Sequence, residues 1–242
     1  MSKEEVIAVF GATGSTGKCV VSSALKEGYA VQALARTPSK MEQYDGNDRV
    51  KVIQGDLSNE AAIQETIKGA TYVVCVAGGT PGGDKDVNKD LMQKFIKILW
   101  PLMEKESSVQ YFLYQAGAFS PKPDGTNPMI LKFMRVVAGW VAGITEMIED
   151  NAQVIKFIDE KTQQGTDGGG GDTARHFKSI VIRPGLLKDI PGGGGDASKL
   201  QGSVDSPPYG ATSFEDLGDF IVQKAMKDDS LVGMYPFVCP AK

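Results

Sequence analysis

Short runs of β-branched and apolar residues alternate along this chain with longer stretches in which apolar positions recur every three or four residues. Val6–Phe10, Ala30–Ala35, Val50–Gln54, Tyr72–Ala77, Val109–Gln115 and Ser179–Arg183 carry the first pattern and predict strands. Thr16–Glu27, Glu60–Lys68, Val87–Glu106, Gly143–Lys161 and Phe214–Lys227 carry the second and predict helices. Asn59 and Ser213 stand where N-caps belong, and Gly28 and Gly69 where helices end. The first four crossovers read as βαβ units, which pair in parallel only through right-handed connections. The expected fold is therefore α/β: a doubly wound, Rossmann-like parallel sheet with helices on both faces. One domain is expected over residues 1–242, with its C-terminal part contributing the substrate side.

Composition narrows the class of ligand. A net charge of −4, from 26 basic and 30 acidic residues, offers no sequence-wide attraction to nucleic acid or anionic membrane, so a small molecule is the expected ligand. Cys19, Cys75 and Cys239 are odd in number, far apart and set among apolar residues, unlike a disulfide framework or a zinc pair. No metal site is predicted, and the thiols suit a reducing compartment such as the cytoplasm. The charged start, Met1–Glu5, and the short apolar run after it are unlike a signal peptide. Pro128–Met147 is the longest apolar stretch, but Lys132 and Arg135 interrupt it and Gly139 and Gly143 weaken it. It predicts a partly buried amphipathic helix rather than a span, and offers a surface for a protein partner or self-association. Gly168–Gly171 and Gly192–Gly195 read as loops, with a lid over the substrate site as the alternative to a plain solvent loop.

The segment from Val6 to Lys18 places Gly11, Gly14 and Gly17 directly after an apolar strand and at the mouth of a helix. Gly11 permits the tight turn, Gly14 lets backbone approach a pyrophosphate, and Gly17 lets helix pack closely on strand. Thr13, Ser15 and Thr16 complete the predicted phosphate cradle, and the helix N-terminus supplies unpaired amides. The second strand ends not in the acidic residue that hydrogen-bonds the ribose of NAD but in Arg36, followed by Thr37, Ser39 and Lys40. A guanidinium there pairs with a 2′-phosphate, which predicts NADP(H) in preference to NAD(H). A solvated base at a strand end is the alternative. After the third strand, Asp56 and Leu57 are placed to meet an adenine, or else Asp56 simply favours the next helix N-terminus.

These residues, with Ala33–Arg36, Gly55–Leu57, Ala77–Thr80, Ala118–Phe119, Glu215–Phe220 and Gly233–Pro236, resemble the atypical short-chain dehydrogenase/reductase family. The resemblance is to its NAD(P)H-binding, NmrA-like branch, to which flavin reductases of the biliverdin reductase B type belong. It implies an NADPH-dependent reductase passing hydride to a flavin, quinone or other conjugated small acceptor. It places Ala77, Gly78, Gly79, Ala116, Gly117, Pro184 and Gly185 near the nicotinamide, with ordinary strand-end packing as the alternative for such small residues.

The catalytic positions depart from that family. The positions matching its Ser after the fifth strand and His after the sixth are Gly117 and Leu186, which transfer no proton, and the familiar Tyr-x-x-x-Lys pair is absent. Lys156 reads as an exposed helix charge, and His176 precedes the sixth strand, at the edge opposite the ligand. No catalytic residue is assigned, and reduction of a simple carbonyl, which needs a proton delivered to an alkoxide, is disfavoured. The competing expectation is a non-catalytic NADP(H)-sensing regulatory or scaffold protein of NmrA-like type. An isomerase using bound cofactor is a third reading, weakened by the same missing pair.

Overall fold

Odd and even residues of the central strands face different layers, and both layers are apolar. In the computed structural model, which describes residues 5–79, 89–129, 131–133, 144–164, 176–190, 195–204 and 210–241, the parallel core is built from β1 (Val6–Phe10), β2 (Ala30–Ala35), β3 (Val50–Gln54), β4 (Tyr72–Cys75), β5 (Tyr111–Gln115) and β6 (Lys178–Pro184). Ala8, Phe10, Val73, Cys75, Phe112, Tyr114 and Val181 point into one core beneath α2 (Glu60–Ile67), α3 (Leu91–Lys105) and α4 (Thr145–Gln164). Ile7, Val9, Val31, Ala33, Val74, Leu113, Ile180 and Ile182 point into the other, beneath α1 (Ser15–Lys26) and α5 (Phe214–Gln223). Strands covered on both faces need apolar residues throughout, which is why their sequences lack a polar alternation.

The strand order β3-β2-β1-β4-β5-β6 is that of a doubly wound Rossmann sheet, as the alternation of patterns predicted. Four short strands escaped the sequence pattern: β7 (Leu186–Lys188), β8 (Leu200–Ser203), β9 (Ala211–Ser213) and β10 (Phe237–Pro240). Strand β10 joins β6 in parallel and β8 closes the edge antiparallel to it, while β7 and β9 pair separately. Three- and four-residue strands are too short to display a period.

The β2–β3 crossover is a 3₁₀ segment, Pro38–Tyr44, rather than an α-helix. The helix expected over Phe214–Lys227 stops at Gln223 and gives way to a 3₁₀ turn at Ala225–Lys227. The helix expected from Val87 is described from Leu91, Val87 itself lying outside the described residues. Most of Pro128–Met147, all of Gly168–Gly171 and the first three residues of Gly192–Gly195 also lie outside them. Among the described residues no helix is long and apolar enough to cross a membrane.

Helix ends follow the chemistry read from the sequence. Asn59 accepts the amide of Ala62, and Ser213 accepts that of Asp216. Gly28 and Gly69 adopt positive φ of 87° and 72° after their helices, a region a side chain would resist. The cap of α3 was not legible. Its own N-cap, Asp90, makes no side-chain cap bond; instead buried Asp150 reaches across from α4 and accepts the amides of Met92 at 2.7 Å and Gln93 at 3.0 Å. Burial raises the Asp150 pKa, and those two amides oppose the rise.

Helices α1 and α5 cross where a Cβ on Gly218 would stand 2.7 Å from the carbonyl carbon of Cys19. Backbone cannot yield there, so Gly218→Ala is expected to lower stability by about 1–3 kcal/mol. Asp150→Ala, which strips acceptors from two amides at a buried helix start, is expected to cost about the same. Both are read as denaturant midpoints at constant m-value, and an unmoved midpoint would refute the packing account of that helix.

Candidate functional site

Parallel pairing brings the carboxyl ends of the strands to one edge. Phe10 is level with Leu34 and Cys75, Ala35 with Gln54, Cys75 with Tyr114, and Gln115 with Ile182. Each predicted binding segment leaves the sheet just beyond these residues, so Gly11–Gly17, Arg36–Lys40, Asp56–Leu57, Ala77–Gly79, Ala116–Gly117 and Pro184–Gly185 all border the same edge. The order of the sheet reverses between β1 and β4, which makes a crevice there.

The glycines after β1 have distinct physical duties. Gly11, at φ 90°, lies so close to the exit of β4 that a Cβ on it would be 2.6 Å from the amide nitrogen of Ala77. A Cβ on Gly17 would fall 2.0 Å from the carbonyl oxygen of Gly11, so α1 seats on the turn only because that atom is missing. Gly14 differs: its φ is −78°, and a Cβ would meet only the Gly11 oxygen, at 3.3 Å. Its amide donates to the Gly11 carbonyl at 3.0 Å, closing the turn. The first turn of α1 carries no acidic residue and no side-chain cap, and Thr13, Gly14 and Ser15 are not buried, whereas Thr16 is. This cradle suits a pyrophosphate: bare backbone, open amides and the positive end of a helix dipole.

At the end of β2, Arg36, Thr37, Ser39 and Lys40 are all exposed, and no ion pair ties down Arg36 among the described residues. Asp56 sits at the same corner. Its carboxyl is held below the usual range chiefly by the hydroxyl and amide of Ser58, at 2.6 and 2.8 Å, with the charge of Arg36 adding to the effect. One carboxylate oxygen is thus engaged in a local turn. Half-buried Leu57 packs on the core, and Gly55 lets α2 approach, since a Cβ there would be 2.5 Å from that of Ala62.

On the other side of the crevice, Ala116 and Pro184 are buried, Ala77, Gly79, Gly117 and Gly185 are half-buried, and Gly78 is exposed. The β5–β6 ladder continues past the strand ends through Ala116 to the Ile182 carbonyl and Ala118 to that of Pro184. Leu186, which the resemblance set against a histidine, is 60% exposed. Among the described residues, the titratable side chains of β4 and β5 near this edge are committed or inert. Burial pushes the Cys75 thiol up to about 12, and the buried Tyr114 phenol, raised well above its ordinary pKa by burial, donates to Asn151 at 2.6 Å. Lys156 is exposed and 3.9 Å from Glu160, and exposed His176, before β6 at the opposite edge, bonds the Glu106 carbonyl at 3.0 Å.

Two polar groups at this edge were missed by the sequence reading. The side-chain oxygen of Gln115, at the end of β5, is buried without a hydrogen-bond partner. Arg183, read only as the last residue of a strand, is fully buried, and burial lowers its pKa to about 10. A charge wedged between an apolar run and Pro184 was the signal available.

A family model described as NAD(P)H-binding matches residues 11–137, just over half of the chain, from the glycine turn to beyond β5. Dihydroflavonol 4-reductase of Hordeum vulgare is 24% identical over 205 residues, covering 76% of this chain and 55% of the relative, so the chain spans about half the length of that curated protein. The oxidoreductase ylbE of Lactococcus lactis superimposes with a TM-score of 0.69 at 18% identity, covering 98% of this chain and 91% of that one. A short-chain dehydrogenase/reductase of Veillonella parvula solved in complex with NADP does so with a TM-score of 0.66 at 13% identity, covering 98% and 95%. These structures share the fold.

The geometry separates two substitutions in the turn. Gly17→Ala is expected to cost at least about 2 kcal/mol of stability, because backbone blocks the methyl. Gly14→Ala is expected to leave stability within about 0.5 kcal/mol while weakening NADPH binding about tenfold by crowding the pyrophosphate. Calorimetric titration alongside thermal unfolding checks both, and equal behaviour of the two variants would contradict the assigned duties.

Proposed function

The chain belongs to the NAD(P)H-binding family, and from that premise we propose that it is an NADPH-dependent oxidoreductase acting on a flavin, quinone or other conjugated small acceptor. Bound NADPH would supply the hydride. The protein's part is to hold both partners flat and close, at the ends of β4, β5 and β6. The C-terminal part of the single domain would supply the acceptor side of this crevice.

The observation that carries the reading is a pair of glycines the fold does not need. Neither Gly78 nor Gly117 has a positive φ, and among the described residues a Cβ on either would meet nothing within 4 Å. Gly11 and Gly17 answer to sterics; these two do not. They leave neighbouring strands β4 and β5 without side chains where a planar ring would lie. With no side chain among the described residues placed to protonate an alkoxide, an acceptor that delocalises the incoming charge and takes its proton from water fits best.

Cofactor choice rests on Arg36 with Thr37 and Lys40, a cationic and hydroxylic corner able to receive a 2′-phosphate. A second reading, a non-catalytic NADP(H)-sensing protein, is favoured by Met129 and Phe133, 80% and 69% exposed and one helical turn apart as a partner-binding ridge would be.

Steady-state NADPH oxidation with a flavin, quinone and biliverdin panel is expected to show turnover with at least one acceptor. Protein that binds NADPH but turns over none would defeat the enzyme reading. Gly117→Val is expected to keep stability within about 0.5 kcal/mol and raise the acceptor KM about tenfold. Arg36→Ala is expected to weaken NADPH binding by about tenfold to a hundredfold, the worth of a charge-assisted contact, and to leave NADH binding nearly unchanged. Equal losses would remove the 2′-phosphate argument.

A further inference from the structure

Arg183 is a cation on the penultimate residue of β6, fully buried, beside the edge assigned to the acceptor. Its Nε donates to the Tyr235 carbonyl at 2.9 Å, and its Nη1 donates to the Ser120 carbonyl at 3.0 Å and reaches the Asn127 side-chain oxygen at 3.5 Å. The guanidinium carbon lies 4.0 Å over the ring centre of Phe237. Nη2 has no partner, and among the described residues no carboxylate stands within ion-pair distance. A buried charge of this kind is costly, and a hydrophobic side chain would fill the same volume at less cost. What a hydrophobe cannot do is bond two carbonyls on separate segments through one rigid fork.

Those segments are the loop leaving β5 and the residues that lead into β10. On the loop side, Ser120 donates its amide to Gly117 at 3.0 Å, and Asn127 donates to the Phe119 carbonyl at 3.3 Å, so the fork grips a turn that begins at Gly117. On the strand side, Tyr235 is a non-glycine residue at φ 51°, a conformation that persists only where surroundings impose it. The Arg183 bond to its carbonyl and the bond from its hydroxyl to Asp159, at 2.7 Å, are two such restraints. The Arg183 amide also donates to the Pro236 carbonyl at 2.9 Å.

We propose that Arg183 is a positioning residue: it ties the Gly117–Asn127 loop to the segment entering β10 at Tyr235, and thereby fixes the acceptor wall of the crevice before any ligand binds. The last clause rests on the acceptor reading given above; the tie itself does not.

Hydrogen exchange in the ligand-free protein tests the tie. Arg183→Lys keeps the charge but loses the fork, and amides of residues 117–128 are expected to exchange about tenfold faster, with β1 and α1 unchanged. Where the panel yields an acceptor, its KM is expected to rise about tenfold with kcat changed less than about threefold and the NADPH Kd unmoved. Unchanged exchange at 117–128 in the folded variant overturns the proposal, as does a uniform rise across the sheet. Should Arg183→Lys not fold, Arg183→Gln, which keeps an amide donor but lacks the fork, decides by the same readout: faster exchange confined to residues 117–128 supports the tie, and none overturns it. Absence of turnover in the parent protein counts against the acceptor reading alone.

Discussion

The meeting of α1 with the ends of β1 and β4 is the constraint on which the rest of the molecule hangs. Three chain segments converge on a point where methyl groups at residues 11 and 17 would stand 2.6 and 2.0 Å from backbone atoms. Close approach there sets the first helix on the sheet, and α5 in turn seats on α1 through Gly218. The same approach brings open amides to the crevice between β1 and β4. Packing and ligand binding are thus two results of one absence of side chains.

Much of the fold was legible because its causes are local. A strand buried on both faces must be apolar, a helix between two layers must show its period, and caps need a few residue types. That is why β1, β2 and β3 fall where the pattern put them. The missed parts have non-local causes. Strand β10 exists because β6 and β8 flank it, and four residues cannot announce that. Asp150 looks like any helix acid until folding brings it 58 residues back to the amide of Met92.

The candidate site divides along the same line. Its phosphate half is written in glycine spacing and in Arg36, features whose chemistry is local. The acceptor half was suggested by resemblance, through small residues that also suit plain packing. Structure sharpens that half by showing that Gly78 and Gly117 are not demanded by sterics, and by exposing Arg183 as a buried fork between two segments far apart in sequence. A linear reading marks a charge between an apolar run and Pro184, but not the two segments it will bridge.

The cross-helix contact of Asp150 also bears on where anions can go. Helix α3, like α1, follows a strand that ends at the crevice edge, and its first-turn amides would otherwise attract the same ligands. A carboxylate supplied by α4 already occupies them, while Asn59 and Ser213 engage the starts of α2 and α5. Among the helices whose caps are described, α1 alone begins with glycine and keeps its amides open. Internal acceptors thus engage the starts of α2, α3 and α5 and leave the start of α1 as the one α-helix terminus with a described cap that is free to meet a pyrophosphate at this edge.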